Sequence, residues 1–370
     1  MITRKNNSIK LTALGGVGEI GKNMYLAEVD EELFVIDAGL MLPEDGMFGI
    51  DIVIPDFTYL VENKDRVKGI FLTHGHEDHI GALSYILRKI QVPIYGTRLT
   101  LALAKEKLSE QDYNGQASFV EIDSNTILSF RSVDVSFFRT NHSIPDSLGV
   151  CLLTSEGAIV YTGDFKFDQA APDLYKPEIG KMAQIGENGV LCLLSDSTEA
   201  ERPGYSTSEA IVKKEISKAF YNAKGRIIAA CFVSDLIRIQ HIFDAAFEYN
   251  RKVAVVGKNL QRVYNIAIEL GYLEIHEDLV IPISQIDQFS DHQIVILMTG
   301  NQGEPIEALQ KMAKQLHKQI NIQKEDLVLL AASPLKGNEV FLLKTIDLLY
   351  RAGATVISSK RTFYDSSHGS

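Results

Sequence analysis

Short apolar runs of β type dominate the first half of the chain. Lys10–Leu14, Met24–Val29, Leu33–Asp37, Gly69–Thr73, Pro93–Gly96, Val133–Arg139, Val150–Thr154 and Ala158–Thr162 read as strands, punctuated by Gly, Asp and Asn clusters. After His79 the rhythm changes. Ile80, Leu83, Ile86, Leu87 and Ile90 fall on one helical face and predict a helix. Sheets with helices interspersed predict a mixed α/β layered domain.

Near residue 205 the texture shifts to regular alternation. Helices are expected at Thr207–Tyr221, Asp235–Tyr249, Asn259–Leu270, Glu304–Lys318 and Glu339–Arg351. Strands are expected at Arg226–Phe232, Lys252–Gly257, Ile294–Thr299, Leu327–Ala332 and Thr355–Ser358. Such βα alternation predicts a parallel doubly wound sheet. The pattern therefore divides the chain into a first domain over 1–207 and a second over 208–360. Residues 361–370 are left as the start of a return to the first domain.

Composition adds little to this picture except by exclusion. The 370 residues are 45% hydrophobic and 23% charged, which excludes a disordered, collagen-like or coiled-coil chain. The formal net charge of −11 excludes a bulk polycation. Binding to nucleic acid would then need a local groove or metal ions. Three scattered cysteines without a CxxC pair argue against a disulfide framework or thiolate zinc site and fit a reducing compartment. The first residues lack the apolar stretch of a signal peptide, and no apolar run approaches the ~20 residues of a membrane span. The expectation is a cytoplasmic protein with no membrane partner.

Two motifs compete for the chemistry. Gly16-Val-Gly18-Glu-Ile-Gly21 matches the GxGxxG dinucleotide pattern, and Asp37 lies near the expected distance. That mechanism requires a helix after the glycines. Here the sequence continues as a strand, so the motif reads as a glycine-rich turn between two strands, with backbone passing near an active site. The stronger signal is His74-Gly-His76-Glu-Asp78-His79, just after an apolar strand. His74 and His76 can converge on one ion, and Asp78 and His79 on a second beside it. Neutral imidazole and carboxylate suit Zn²⁺ or Mn²⁺. His142 and Asp164 follow strands in the same way, and a carboxylate such as Asp164 can bridge cations about 3.5–4 Å apart.

The run HGHEDH, the later His142 and the TGD at Thr162–Asp164 resemble the metallo-β-lactamase fold, and the second half resembles the β-CASP insertion of nucleic-acid nucleases. More narrowly, the chain resembles the bacterial ribonuclease J family. ALGGVGEIGKN (13–23), IDAGL (36–40), GIDIVIPD (49–56), SFFRTNHSIPDS (136–147), TGDFKFD (162–168), LLSDST (193–198), TGNQGEP (299–305), SPLKGNE (333–339) and SSHGS (366–370) all carry the likeness. The fold so implied is α/β: a metallo-β-lactamase αββα sandwich with an inserted β-CASP doubly wound domain.

The resemblance also implies roles. His74, His76 and His142 would hold one metal, Asp78 and His79 the other, with Asp164 bridging. Two divalent ions, Zn²⁺ or Mn²⁺, would activate water for in-line attack on RNA, leaving a 5′-phosphate and a 3′-hydroxyl. Asp78 and His368 are the catalytic candidates, Asp78 orienting the nucleophile and His368 contacting the scissile phosphate. Val233, Ser234 and Asp235, with Tyr364, Asp365, Ser366, Ser367 and His368, resemble phosphate-contacting loops. The implied activity is that of an endonuclease and 5′–3′ exonuclease in mRNA decay and rRNA maturation. The implied substrate is 5′-monophosphorylated RNA, and the implied assembly a homodimer or a complex with a paralogue.

The family pattern Ser-Asn-x-His-Arg is here Ser234-Asp-Leu-Ile-Arg238, with Tyr364 in place of a histidine and Ser367 in place of a glycine. These departures resemble the second, weaker paralogue of many Firmicutes and lead to an expectation of low activity. The alternative is a poorly active or non-catalytic RNA-binding subunit that stabilises an active paralogue. A small-molecule hydrolase on the same fold is a third reading, disfavoured by the β-CASP-like half. The family supplies one more histidine ligand beyond the HGS motif, so partial metal occupancy is expected of residues 1–370.

Overall fold

The computed structural model describes residues 8–43, 47, 49–201, 203–299, 305–331, 339–358 and 368–369. It forms two compact units, Met1–Gly204 with His368–Ser370, and Tyr205–Ser367. The first unit holds two sheets. The first sheet is built in sequence order from β1 (Ile9–Gly15), β2 (Met24–Val29), β3 (Glu32–Ile36), β4 (Val67–Phe71), β5 (Pro93–Gly96) and β6 (Ser118–Glu121). β1 to β3 form an antiparallel meander, and β3 to β6 are parallel. Parallel neighbours need crossovers, and the helices Thr58–Glu62, Glu77–Ile80, Leu83–Leu87 and Arg98–Glu110 supply them. The second sheet contains β7 (Ile127–Ser129), β8 (Asp134–Arg139), β9 (Leu148–Thr154), β10 (Gly157–Tyr161) and β11 (Val190–Leu194). Its spatial order is β11-β10-β9-β8-β7.

The period-two alternation of strands decides how these sheets pack. Val135 and Phe137 of β8, Val150 and Leu152 of β9, and Ile159 and Tyr161 of β10 point inward to Ala27, Val29, Phe34, Ile36 and Phe71 of the first sheet. The intervening Phe138, Cys151, Ala158 and Val160 point outward, where Met182 and Ile185 of the helix Ile179–Glu187 cover them. This is the helix-on-sheet-on-sheet arrangement that the αββα expectation required.

The second unit has one all-parallel sheet of β12 (Ile227–Ala230), β13 (Lys252–Val256), β14 (Ile294–Met298), β15 (Leu327–Leu330) and β16 (Thr355–Ile357), ordered β13-β14-β12-β15-β16. β12, β14 and β15 are buried along their whole length, which explains their unbroken apolar sequences. The helices Glu209–Asn222, Leu236–Glu248, Lys258–Glu269, Ile306–Ala313 and Glu339–Arg351 connect or flank them in the doubly wound manner.

Two expected helices differ from the structure. Of the helix expected at 304–318, residue 304 lies outside the described residues, and over 305–318 the helix is Ile306–Ala313, ended where Gln315 turns left-handed (φ 62°) and the Leu316 N–H folds back onto the Lys311 carbonyl. The single helix expected after His79 starts earlier and is two helices, Glu77–Ile80 and Leu83–Leu87. The Asp78 carbonyl, which a continuous helix would offer to Ala82, accepts the Asn23 N–H at 2.9 Å, and the Ala82 N–H turns to Ala38 O at 2.8 Å. The helix is thus interrupted where tertiary bonds take its carbonyls. Among the described residues no helix is long and apolar enough to cross a membrane.

Candidate metal centre

Most of the candidate site's side chains leave the end of a strand. Asp37 follows β3; Thr73, His74 and His76 follow β4; His142 follows β8; Asp164 follows β10; Asp196 follows β11. Asp78 and His79 sit in the short helix Glu77–Ile80.

His74, His76, His142 and Asp164 each offer an atom to one cluster whose members lie within 4.8 Å of one another. Asp164 Oδ2 lies 3.8 Å from His74 Nε2 and 3.7 Å from His142 Nε2, and His142 Nε2 lies 3.1 Å from His76 Nδ1. His74 is fully buried, yet its Nε2 and that of His76 are buried without a hydrogen-bond partner. Burial, reinforced by neighbouring imidazoles, holds both rings well below the usual histidine range. They are neutral, the ligating form.

Asp78, His79 and Asp164 form an adjoining cluster. Asp164 turns its other oxygen, Oδ1, to His79 Nε2 at 3.3 Å, so one carboxylate faces both groups. The supporting residues fix these rings. Asp37 Oδ2 meets His79 Nδ1 at 2.7 Å and accepts from the Thr73 hydroxyl at 2.9 Å, while its Oδ1 accepts the Thr73 N–H at 2.8 Å. Asp37 holds a left-handed backbone (φ 61°) to do so. Thr73 Oγ1 is also 3.0 Å from His74 Nδ1. The second nitrogen of each ring is thereby aimed inward, as in carboxylate–histidine metal sites. Burial alone would lower His79, but Asp164, Asp78 and Asp37 outweigh it and raise it well above the usual range. Burial likewise raises Asp78 to about 6, with His79 opposing and Asp164 adding. Asp164 is pushed up by desolvation but held well below the carboxylate range, chiefly by His79. So much carboxylate around neutral imidazole nitrogens lacking hydrogens to share fits divalent cations.

His368 reaches the same place from the far end of the chain. Its Nδ1 is 2.6 Å from Asp196 Oδ2, and its ring centroid is 5.2 Å from that of His142. Burial lowers it, but Asp196 and Asp164 raise it to about 9. Asp196 is held in turn by the Phe165 N–H at 3.3 Å, and it closes a third group with Asp164 and His368.

The structure thus brings together His74, His76, Asp78, His79, His142, Asp164 and His368. Val233, Ser234 and Asp235 lie in the second unit, at the start of the helix Leu236–Glu248. Tyr364, Asp365, Ser366 and Ser367 lie outside the described residues. Asp235 is buried, and its Oδ1 accepts the Arg238 N–H at 3.1 Å as the helix N-cap. Around it Arg238 lies 3.9 Å from both Asp235 and Glu209, and His241 lies 3.4 Å from Glu209. Desolvation raises Asp235 above the carboxylate range despite Arg238. Sequence reasoning did not assign Asn23, Asp37, Thr73 or Asp196 to the site. Asp37 and Asp196 could have been found by the rule that found Asp164, a carboxylate just past a strand.

Comparison with known proteins agrees with this geometry. Residues 17–195 match the metallo-β-lactamase superfamily, and residues 224–349 match the β-CASP domain of ribonuclease J. A crystal structure of a protein of unknown function from Enterococcus faecalis V583 superposes with a TM-score of 0.67, covering 97% of this chain and 88% of its own, at 14% identity. That likeness concerns the fold alone. The chain is a metallo-β-lactamase-fold protein with a β-CASP domain inserted in it. Among curated proteins, it is 50% identical over 369 residues to ribonuclease J 2 of Staphylococcus aureus (strain NCTC 8325 / PS 47) and 49% identical to ribonuclease J 2 of Staphylococcus epidermidis (strain ATCC 35984). All of this chain is covered, and it spans 66% of the length of those relatives. The chain belongs to the ribonuclease J family.

Proposed function

We propose that the protein is a metal-dependent ribonuclease that hydrolyses RNA phosphodiesters with two divalent cations. The observation that carries this reading is the convergence of His74, His76, His142 and Asp164 from three strand exits, with buried Nε2 atoms of His74 and His76 that have no hydrogen-bond partner among the described residues. In this reading His74, His76 and His142 hold one cation, Asp78 and His79 the other, and Asp164 both. Bound Zn²⁺ or Mn²⁺ would supply positive charge at the phosphate and lower the pKa of water. Asp78, raised to about 6, is suited to orient the nucleophilic water. His368, raised to about 9, is cationic at neutral pH, able to contact the scissile phosphate and protonate the leaving 3′-oxygen. Asp196 keeps that ring charged and oriented.

The finer reading is an endonuclease and 5′–3′ exonuclease of modest rate in the cytoplasm. It acts in mRNA decay and rRNA maturation on 5′-monophosphorylated RNA, as a homodimer or in complex with a paralogue. The likeness to the Staphylococcus ribonucleases supports the ribonuclease assignment. A second reading, a poorly active RNA-binding subunit, draws on Asp235: a carboxylate at a helix start opposes the phosphate that such a terminus otherwise favours. Cleavage of 5′-labelled RNA with Mn²⁺, comparing the wild type with His76→Ala, separates the two. Activity lost in the variant supports the enzyme. Absence of activity in both supports the subunit.

A further inference from the structure

The GxGxxG motif has no dinucleotide role in this fold. Gly15 ends β1, Met24 begins β2, and no helix follows the glycines. The turn is nevertheless held by several contacts. Gly16, Gly18 and Gly21 take φ of 85°, 71° and 105°, and Lys22 joins them at 43°. Lys22 N–H donates to Leu40 O at 2.9 Å, Tyr25 Oη–H to Gly16 O at 3.0 Å, and Lys22 Nζ pairs with Glu19 at 2.7 Å.

What the turn delivers is Asn23. Its backbone N–H donates to Asp78 O, and its carbonyl accepts the Gly39 N–H, both at 2.9 Å. Its side-chain Nδ2 stands 3.2 Å from Asp78 Oδ2 and 3.1 Å from His79 Nε2. Two glycines make the seat. A Cβ on Gly16 would run into Asn23 Oδ1, and a Cβ on Gly39 would run into Asp78 O and Asn23 N. Gly16 therefore closes off the Oδ1 side of the amide, leaving Nδ2 toward Asp78.

We propose that Asn23 is a positioning residue for the Asp78/His79 cation subsite, and that the Gly16–Gly21 turn serves to seat its amide. The inference rests on the metal-dependent reading given above. An amide donor fixes Asp78 without adding charge: it holds Oδ2, the oxygen that stands 3.6 Å from His79 Nε2, and so keeps that oxygen turned toward the subsite. The same residue interrupts the helix at Asp78 by taking its carbonyl, so the backbone and side chain of Asp78 are oriented by one neighbour. The His74/His76/His142 group has no hydrogen bond to Asn23 among the described contacts and is served instead by Thr73 and Asp164.

Calorimetric titration of the metal-stripped intact protein with Mn²⁺ tests this, with folding checked by circular dichroism. The wild type is expected to bind two ions, and His79→Ala identifies which belongs to Asp78 and His79. Asn23→Ala should weaken that ion by about tenfold or more, the usual range for an outer-shell partner, and leave the other within about twofold. Gly16→Ala, which removes no side chain, should reproduce the selective loss and stands in if Asn23→Ala does not fold. Val17→Ala, at an exposed tip of the same turn, should bind as the wild type does. Unchanged binding in Asn23→Ala or in Gly16→Ala, or equal weakening of both ions, overturns the inference alone. A wild type that holds no ion lost in His79→Ala overturns the metal-dependent reading, and this inference with it.

Discussion

The histidine cluster of the first unit and the Glu209–Asp235–Arg238–His241 cluster of the second both bury ionisable side chains, but they balance that burial in opposite ways. In the second unit opposite charges are placed side by side: Arg238 sits between Glu209 and Asp235, and His241 faces Glu209. In the first, carboxylates face imidazoles with no lysine or arginine among the cluster's described members, and burial holds His74 and His76 neutral. One arrangement brings its own permanent cation, Arg238. The other gathers ligand atoms around a place where the described residues put no such cation. Burial and pKa perturbation alone would flag both as functional, and it is the sign and direction of the groups that separates them.

The largest effect expected from this contrast is on stability in the second unit. Arg238→Met leaves Glu209 and Asp235 buried without their cation, and should lower unfolding free energy by about 3–5 kcal/mol in urea denaturation. His76→Ala in the metal-free protein should cost only about 0.5–1.5 kcal/mol, the net worth of its single Nδ1 contact with His142 Nε2. If the two substitutions cost the same, the contrast fails.

Cations sharpen it next. Mn²⁺ at a hundred times its dissociation constant should stabilise the wild type by about 2.7 kcal/mol per site. His76→Ala should lose the part due to the histidine-rich site, and Arg238→Met should keep the full increment, read as shifts of the denaturation midpoint. The pH dependence is smaller. His368 is raised from 6.5 to about 9, so its contribution is complete below pH 6.5 and is lost as pH rises through about 9. Imidazole NMR of the metal-free protein should find that midpoint, and Asp196→Asn should move it down. Asp235→Asn should be the mildest change. Asparagine caps helices as well as aspartate does and Glu209 still faces Arg238, so the cost should be about 1 kcal/mol or less, while RNA binding measured at fixed salt should tighten if, as proposed, this helix start contacts a phosphate.

The sequence carried the candidate metal cluster because its members are concentrated. His74, His76, Asp78 and His79 fall within six residues, and His142 and Asp164 sit at strand exits that apolar patterning reveals. It carried the parallel sheet of the second unit because wholly buried strands read as continuous apolar runs. Of the two edge strands, β7 is only the three residues ILS, too short to show an alternation, and β11, VLCLL, was not assigned although its run is apolar throughout. The helix Arg98–Glu110 was missed because it buries Leu99, Thr100, Leu101, Leu103, Ala104 and Leu108, too broad a face to give a single stripe. Asn23 was invisible as a site residue for another reason. Its partner Asp78 lies 55 residues away, and only folding makes the pair.

The separation between Asp196 and His368 is larger still, 172 residues. Synthesis runs from the N-terminus, so His74 through Asp164, and Asp196 with them, leave the ribosome before any of the second unit is made. At the usual translation rates the intervening Tyr205–Ser367 takes about 10–30 s to synthesise. For that interval the nascent chain holds the imidazole cluster but not the histidine that joins Asp196. The Asp196–His368 pair can therefore form only after the whole second unit has been made, so this corner of the site trails the synthesis of the other clustered residues.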